Sequence, residues 1–108
     1  MIVMLEVSVM IEKTLEYVKQ IFANDCSGHD YYHTMRVYRL AVEIAKQENA
    51  DMLIVQLAAL LHDVDDAKLS PETYGTKKNA VDFMKSNGID DKIIDAVCKI
   101  IEEVSFAG

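Results

Sequence analysis

Three side chains that could hold a metal ion stand at two separate places along this 108-residue chain. His33 occurs by itself, and His62 is followed directly by Asp63 at the end of a long apolar run. Imidazole nitrogens together with a carboxylate suit divalent cations such as Mn, Fe, Co or Zn. A cation held in this way lowers the pKa of bound water and neutralises phosphate charge. The pattern therefore indicates metal-assisted hydrolysis at phosphorus if the two places meet in the fold.

Helical periodicity governs the positions of these side chains, and no convincing strand pattern occurs. A first amphipathic helix is predicted to end near residue 23, and a second to run from about residue 29 or 30 to residue 48. Asp51 is expected to cap a third helix, which is apolar nearly all round and therefore central. The second helix is expected to bury one stripe, with His33 on it and pointing inward: Val37, Leu40, Ala41, Ile44 and Ala45.

The short connector of residues 49–51 predicts that the second and third helices are antiparallel neighbours. His33 lies near the start of one helix and the pair His62 and Asp63 at the end of the other, so all three are expected at the same end of the bundle. For His33 considered alone, a core histidine with a structural hydrogen bond is the simpler interpretation. The nearby pair makes metal binding the better one.

Two more helices are predicted in the remainder of the chain. Thr76 is expected to cap the fourth helix, and Gly88 to end it in the left-handed conformation that glycine favours. Asp90 is expected to cap the fifth, whose apolar stripe consists of Ile94, Val97, Ile101 and Val104. No later segment would cover this stripe, which predicts a homo-oligomer formed through an uncovered C-terminal apolar face.

Composition narrows the class of protein. The chain is 51% hydrophobic and 27% charged, as expected of one folded domain spanning residues 1–108, with residues 1–9 as an N-terminal extension. Its formal net charge of −7 argues against a nucleic-acid polymer as partner. No segment approaches the length of a membrane-spanning helix, and the N-terminal stretch lacks the basic start of a signal peptide. Cys26 and Cys98 are widely spaced, so reduced thiols and a cytoplasmic location are expected.

The segments around the three side chains resemble the HD-domain phosphohydrolase superfamily. Its signature is a helix histidine, an adjacent His-Asp pair at the end of a central helix, and a later aspartate. His33, His62 and Asp63 match the first three members, within GHDYYHTMRV and LAALLHD. The resemblance covers approximately residues 10 to 108. It implies an all-α HD-domain bundle of about five to six helices.

The same resemblance implies one divalent metal ion, Mn, Mg, Fe, Co or Zn, held by His33, His62 and Asp63. No histidine follows His62, so a binuclear site is not expected. The residues around the two motifs are similar to those of a bacterial subgroup of small HD hydrolases. Some of its members cleave nucleoside triphosphates to the monophosphate and pyrophosphate. A small phosphorylated substrate, most directly a nucleotide, is therefore expected.

The chain departs from the family pattern at one point. The family's fourth ligand, an aspartate on a later helix, normally follows the segment that matches residues 101–108. We therefore expect this chain to be C-terminally incomplete, as a fragment of a longer hydrolase or a truncated product. Four aspartates precede that point, and none stands in the expected context: Asp82, Asp90, Asp91 and Asp95.

Further roles are assigned around the metal ligands. Arg36, one helical turn after His33, could bind a phosphate bidentately or pair with a neighbouring acid. Asp66 is the candidate general base, by similarity to related HD hydrolases. The alternative is that Asp65 and Asp66 merely end a helix in solvent. Lys68 and Lys77, with Lys78, are further candidates for substrate binding, although exposed lysines are usually just solvated.

Three functions follow from these features. The first is a metal-dependent phosphohydrolase acting on a nucleotide. The second is a catalytically impaired HD domain that binds a nucleotide without cleaving it. The third is a helical assembly module that uses the apolar stripe of the fifth helix.

Overall fold

Five α-helices and no strand make up the part of the chain that the structure describes. This structure is a computed structural model that describes residues 4–23, 29–65, 72–73 and 75–107, with side chains within 7–23, 31–65, 72–73 and 75–103. The helices are α1 (Met4–Ile21), α2 (His29–Glu48), α3 (Met52–Leu61), α4 (Lys78–Ser86) and α5 (Asp91–Ala107). The prediction of an all-α bundle is therefore confirmed. None of the described helices is long and apolar enough to cross a membrane.

Helix α3 is the centre of the bundle. It packs against α1, α2 and α5, while α4 packs on α5. Leu57 and Leu60 on α3 are 0% exposed, as a helix that is apolar on every side requires. Its start is capped as the sequence predicts, because Asp51 Oδ1 accepts the backbone N–H groups of Leu53 at 3.0 Å and Ile54 at 3.2 Å.

The buried face of α2 differs from the predicted stripe. Leu40 is 63% exposed and Ile44 is 52% exposed, whereas Ala45 and Thr34 are buried. Helix α2 packs mainly on α3, which covers only one side of it. Apolar periodicity identifies an apolar face but not which part of that face meets a neighbour. The prediction that His33 points inward is also wrong, because its side chain is 51% exposed.

The apolar stripe of α5 is covered, in contrast to the sequence-based prediction. Ile94 and Ile101 are each 4% exposed and Val97 is 0% exposed, and α5 packs against α3 and α4. The side chain of Val104 lies outside the described residues. The described part of this stripe, Ile94, Val97 and Ile101, is therefore buried within the chain itself and is not free for self-association.

The start of α4 lacks the predicted cap. Lys77, not Thr76, occupies the N-cap position, with φ at +56° and no capping bond from its side chain. The hydroxyl of Thr76 donates to the carbonyl of Thr73 at 3.3 Å instead. The N–H groups in the first turn of a helix need acceptors from outside the helix. At the start of α4, the carboxylate of Asp65 on the turn after α3 accepts two of them.

The end of α4 follows the predicted pattern. Gly88 has φ at +75°, the left-handed conformation that glycine adopts without penalty. Its N–H donates to the carbonyl of Lys85, and the N–H of Ile89 donates to the carbonyl of Met84, each at 3.1 Å. These two bonds form a Schellman motif, which satisfies carbonyls of the last helical turn.

Gly88→Ala is expected to lower the free energy of unfolding by about 1 kcal/mol, because a Cβ makes the left-handed conformation costly. A Cβ there would meet nothing within 4 Å, so the cost arises from the backbone alone. Gly75→Ala is the matched control, since it has equal space and no positive φ. Urea unfolding of both variants measures the difference. Equal stabilities would contradict the proposed strain.

Candidate metal centre

Two helix ends bring the three predicted metal ligands together. His33 lies in the second turn of α2, and His62 is the C-cap of the antiparallel helix α3, with Asp63 next to it. Leu61 before the pair and Val64 after it are 1% and 0% exposed. The pair is therefore anchored on both sides by buried apolar side chains.

The donor atoms of the three side chains converge on one point. His62 Nε2 lies 3.2 Å from Asp63 Oδ2, and His33 Nε2 lies 3.6 Å from the same oxygen. All three candidate donor atoms lie within 4.8 Å of one another. The two imidazole rings meet edge to face, with centroids 5.5 Å apart. The convergence that the sequence predicts is thus present in the structure.

The orientation of His62 is set by its own helix. Its Nδ1 lies 2.7 Å from the carbonyl oxygen of Ala59, which can only accept a hydrogen bond. Nδ1 therefore carries a proton, and Nε2 is the nitrogen turned towards Asp63. A backbone partner of this kind commonly orients a histidine that ligates a metal.

The carboxyl group of Asp63 is held in its ionised form. Burial alone would raise the pKa of Asp63, but the hydrogen bond from His62 and the charges of His62 and His33 together outweigh that effect. The pKa therefore lies below the ordinary value for aspartate. A carboxylate that is already ionised is the form that binds a cation.

The site is closed on one side and open on the other. The side chain of His62 is 10% exposed, that of Asp63 is 27% exposed and that of His33 is 51% exposed. Three protein donors leave positions for water and phosphate oxygens around a shared ion, as catalytic rather than structural metal sites do.

The donor set fits a divalent cation of moderate size. Donor atoms about 2.1 Å from a shared ion lie roughly 3 to 3.5 Å from one another in tetrahedral or octahedral geometry. The separations of 3.2 Å and 3.6 Å from Asp63 Oδ2 lie at or close to this range. Two imidazoles and one carboxylate are also the donor types expected for Mn, Fe, Co or Zn. Rotation of His33 towards Asp63 would complete the arrangement.

The structure describes Arg36 and Lys77, two of the further residues that the sequence predicts around the metal ligands. Arg36 is exposed on α2, one turn after His33, and forms no ion pair with any residue that the structure describes. Lys77 is partly buried at the start of α4. Burial raises the pKa of the Cys98 thiol, and the nearby charge of Lys77 offsets only part of that effect. Asp66 and Lys68 lie outside the described residues.

Other charged side chains are engaged elsewhere. Lys78 forms an ion pair with Asp82 on the same helix. Asp90 accepts the N–H of Lys92 at the start of α5, as predicted for its cap. Among the described residues, the four later aspartates do not join the cluster of His33, His62 and Asp63. Cys98 carries a free thiol, and Cys26 lies outside the described residues.

Sequence reasoning missed the role of Asp65. It is 6% exposed rather than solvated, and its two carboxylate oxygens accept the N–H groups of Asn79 at 2.9 Å and Ala80 at 3.0 Å. These are the N–H groups that an N-cap side chain normally accepts. The one signal in the sequence is the apolar residue Val64 between Asp63 and Asp65, which the structure shows to be 0% exposed.

A cavity of about 700 Å³ lies away from the metal ligands, beside the start of α3. Its lining includes the acidic residues Glu12 and Asp51 and the polar side chains of Gln56 and Tyr38, which bond to each other at 2.9 Å. Among the residues that the structure describes, no basic side chain lines it. A phosphorylated ligand therefore suits the open side of the metal ligands better than this cavity.

Helical fold and ligand geometry together define a class of protein. The HD domain model matches residues 30–108, and the chain belongs to the HD domain family. Members of this family are metal-dependent phosphohydrolases. The matched residues include all three of the converging side chains.

Two curated relatives share part of this sequence. An uncharacterised protein of Bacillus subtilis, YpgQ, is 36% identical over 95 residues, which are 88% of this chain and 46% of that protein. A tRNA (cytidine(56)-2'-O)-methyltransferase of Thermoplasma volcanium is 38% identical over 69 residues, which are 64% of this chain and 20% of that protein. The chain thus spans about half or less of the length of these relatives. No solved structure matches it.

Proposed function

We propose that this chain is a divalent-cation-dependent phosphohydrolase that acts on a nucleotide, most directly by cleaving a nucleoside triphosphate to the monophosphate and pyrophosphate. His33, His62 and Asp63 hold the single cation. The observation that carries the proposal is the convergence of two imidazole nitrogens and one ionised carboxylate on the open end of a buried helix. Membership of the HD domain family supports the hydrolytic chemistry.

The cation, when bound, supplies Lewis acidity that lowers the pKa of water and neutralises phosphate charge. The residues of the chain do the rest. The oxygen of water forms a bond to the α-phosphorus, while the bond from that phosphorus to the oxygen bridging the β-phosphorus breaks and pyrophosphate leaves. Asp66 accepts the proton from the water as general base. His62 and Asp63, anchored by buried neighbours, would hold the cation at a fixed place beside the reacting phosphate.

Arg36 binds the phosphates of the substrate. It projects from α2 close to His33, the most exposed of the three ligands, and among the described residues no acid neutralises it. A free guanidinium can form two parallel hydrogen bonds to a phosphate. Lys68 and Lys77 are the further cations that we assign to the substrate, so that the phosphate charge is met locally despite the net charge of −7.

Arg36→Ala is expected to lower kcat/KM about tenfold or more, since a charge-assisted hydrogen bond contributes about 1.5 to 3 kcal/mol. Arg39→Ala is the matched control, because Arg39 is exposed on the same helix but one turn further from His33. Its kcat/KM is expected to stay within about twofold of the parent chain. Steady-state kinetics at saturating Mn²⁺ measures both. Equal losses in the two variants would remove Arg36 from the substrate site.

The reaction is tested by ³¹P NMR of nucleoside triphosphates incubated with the chain and Mn²⁺. The monophosphate and pyrophosphate should appear together, and chelation of the metal should stop both. In H₂¹⁸O the label should enter the monophosphate, which identifies attack at the α-phosphorus. Release of inorganic phosphate instead would contradict the proposed bond cleavage. No product with Mn²⁺, Mg²⁺, Fe²⁺, Co²⁺ or Zn²⁺ would contradict hydrolysis altogether.

A second candidate is a nucleotide-binding HD domain without hydrolytic activity. Two observations favour it over an assembly module: the described cluster has three ligands, and the apolar stripe of α5 is buried. This candidate predicts uptake of Mn²⁺ and of a nucleotide in calorimetry without any product in the NMR assay. The two functions are therefore separated by the same pair of measurements.

A further inference from the structure

The turn that carries His62 and Asp63 is tied to the start of α4 by an exchange of hydrogen bonds. Asp65 accepts the N–H groups of Asn79 and Ala80 through its two carboxylate oxygens, at 2.9 Å and 3.0 Å. In return, Asn79 Nδ2 donates to the carbonyl of Val64 at 3.3 Å. We call these three bonds the Asp65–Asn79 clasp.

The clasp replaces the cap that α4 lacks. Lys77, at the N-cap position, has a left-handed backbone and contributes no capping bond from its side chain. Asp65 therefore provides the acceptors for the first turn from a different part of the chain. The positive end of the helix dipole in turn favours a carboxylate there, which is why a 6% exposed aspartate is tolerated.

Further contacts fix Asn79 itself. Its Nδ2 also lies 3.4 Å from Thr73 Oγ1, and the hydroxyl of Tyr17 on α1 donates to its carbonyl oxygen at 3.3 Å. The ring of Tyr17 stacks on Phe83 of α4, with centroids 4.2 Å apart. Asn79 is thus held by Tyr17 of α1 and by Thr73, and the stacking of Tyr17 on Phe83 fixes α1 against α4. It therefore provides a rigid attachment for the turn.

We propose that Asn79 and Asp65 are positioning residues for the metal centre, a role that rests on the proposed metal site. His62 and Asp63 lie between the end of α3, where Leu61 is buried, and the clasp, which begins at Val64. The clasp restricts the motion of this turn at its C-terminal end, next to Asp63. The donor atoms of His62 and Asp63 then stay at the separation that a cation requires without the cation having to order them.

The test compares two asparagines of α4. Asn79→Ala removes the bonds to Val64 and Thr73. Asn87→Ala is the matched control, because Asn87 Nδ2 also makes two contacts, to the carbonyl of Phe83 at 2.9 Å and to Ser86 Oγ at 3.5 Å, both within α4. Calorimetric titration with Mn²⁺ is expected to give binding about tenfold weaker in Asn79→Ala. The Mn²⁺ affinity of Asn87→Ala should stay within about twofold of the parent chain.

A second readout does not need the metal. In amide hydrogen exchange of the metal-free chains, the N–H of Val64, which donates to the carbonyl of Leu61 at 3.3 Å, should be equally protected in the parent chain and in Asn87→Ala. In Asn79→Ala, which lacks the bond to the carbonyl of Val64, the same N–H should exchange faster. If Asn79→Ala lowers the folded fraction, Asp65→Asn tests the other side of the clasp, because it keeps one oxygen for the N–H of Asn79 and loses the acceptor for the N–H of Ala80.

The outcomes separate this proposal from the metal site itself. Unchanged Mn²⁺ affinity in Asn79→Ala, with normal binding by the parent chain, would overturn the positioning role and leave the metal centre intact. No Mn²⁺ binding by the parent chain would overturn the metal centre. Amide exchange then decides the positioning role alone: equal protection of the Val64 N–H in all variants would overturn it, and faster exchange in Asn79→Ala would support it.

Discussion

Asp63→Asn is expected to weaken Mn²⁺ binding by more than about a hundredfold and to abolish metal-dependent hydrolysis, since changes outside the ligand shell already cost 10-fold to 100-fold. The substitution preserves the shape of the side chain and removes the negative charge of the three ligands. It also replaces an oxygen that lies 3.2 Å and 3.6 Å from the two histidine nitrogens. Calorimetry and the ³¹P assay measure the two effects separately.

Asp82→Asn is the control for this prediction, because it makes the same chemical change on an exposed part of α4, where Asp82 pairs with Lys78. Its affinity and activity are expected to stay within about twofold of the parent chain. His62→Ala should reproduce the loss seen in Asp63→Asn. Hydrolysis that persists in His62→Ala at the parent rate would rule out the proposed mechanism.

Stability of the metal-free Asp63→Asn variant must be followed as well. The pKa of Asp63 is lowered in the folded state, so its ionised form stabilises the fold above the ordinary pKa of aspartate. That contribution is lost as the pH falls through the lowered pKa of the folded state. At neutral pH the variant should therefore be slightly less stable, yet remain helical in circular dichroism. A loss of hydrolysis with retained helicity then reports on the ligand.

Leu60→Ala is expected to lower the free energy of unfolding by about 3 kcal/mol or more, the range for a leucine deleted from a close-packed core. Leu60 is 0% exposed on the central helix, which packs against α1, α2 and α5. Its removal leaves a cavity that those helices cannot close without distortion. A domain of this size should then melt more than about 10 °C lower, as differential scanning calorimetry would show.

Leu40→Ala is the matched substitution on α2, where the side chain is 63% exposed. Its effect should stay within about 0.5 kcal/mol of the parent chain. The comparison tests the finding that the predicted apolar stripe of α2 is not part of the core of the chain. A loss as large as that in Leu60→Ala would show that Leu40 is buried in solution by a further contact.

Much of the candidate metal centre could be predicted because the convergence of its three side chains depends on local pattern and one topological rule. Helical periodicity, a capping aspartate and a short connector were enough to make α2 and α3 antiparallel and to bring His33 near His62. Each of these signals acts over a few residues, and the Asp51 cap and the Gly88 turn were confirmed for the same reason. The identity of the chain as an HD domain followed from the same residues.

The predictions of burial were wrong where burial depends on which helix faces pack against each other. Leu40 and Ile44 were expected to be buried and are exposed, whereas the stripe of α5 was expected to be free and is buried. The apolar spacing correctly predicted that both segments are helices with an apolar face. Burial depends on the neighbours that each helix acquires, and no property of α2 or α5 alone specifies those neighbours.

By itself, the sequence determined the helical class, the central helix and the three candidate metal donors, because local periodicity and residue chemistry are properties of short segments. Only the tertiary structure decided how far each donor is exposed, which helix faces are covered, and that Asp65 caps a helix from the turn beside the metal ligands. Such contacts join residues that are distant along the chain. Their geometry depends on the packing of all the helices together, so no segment specifies it alone.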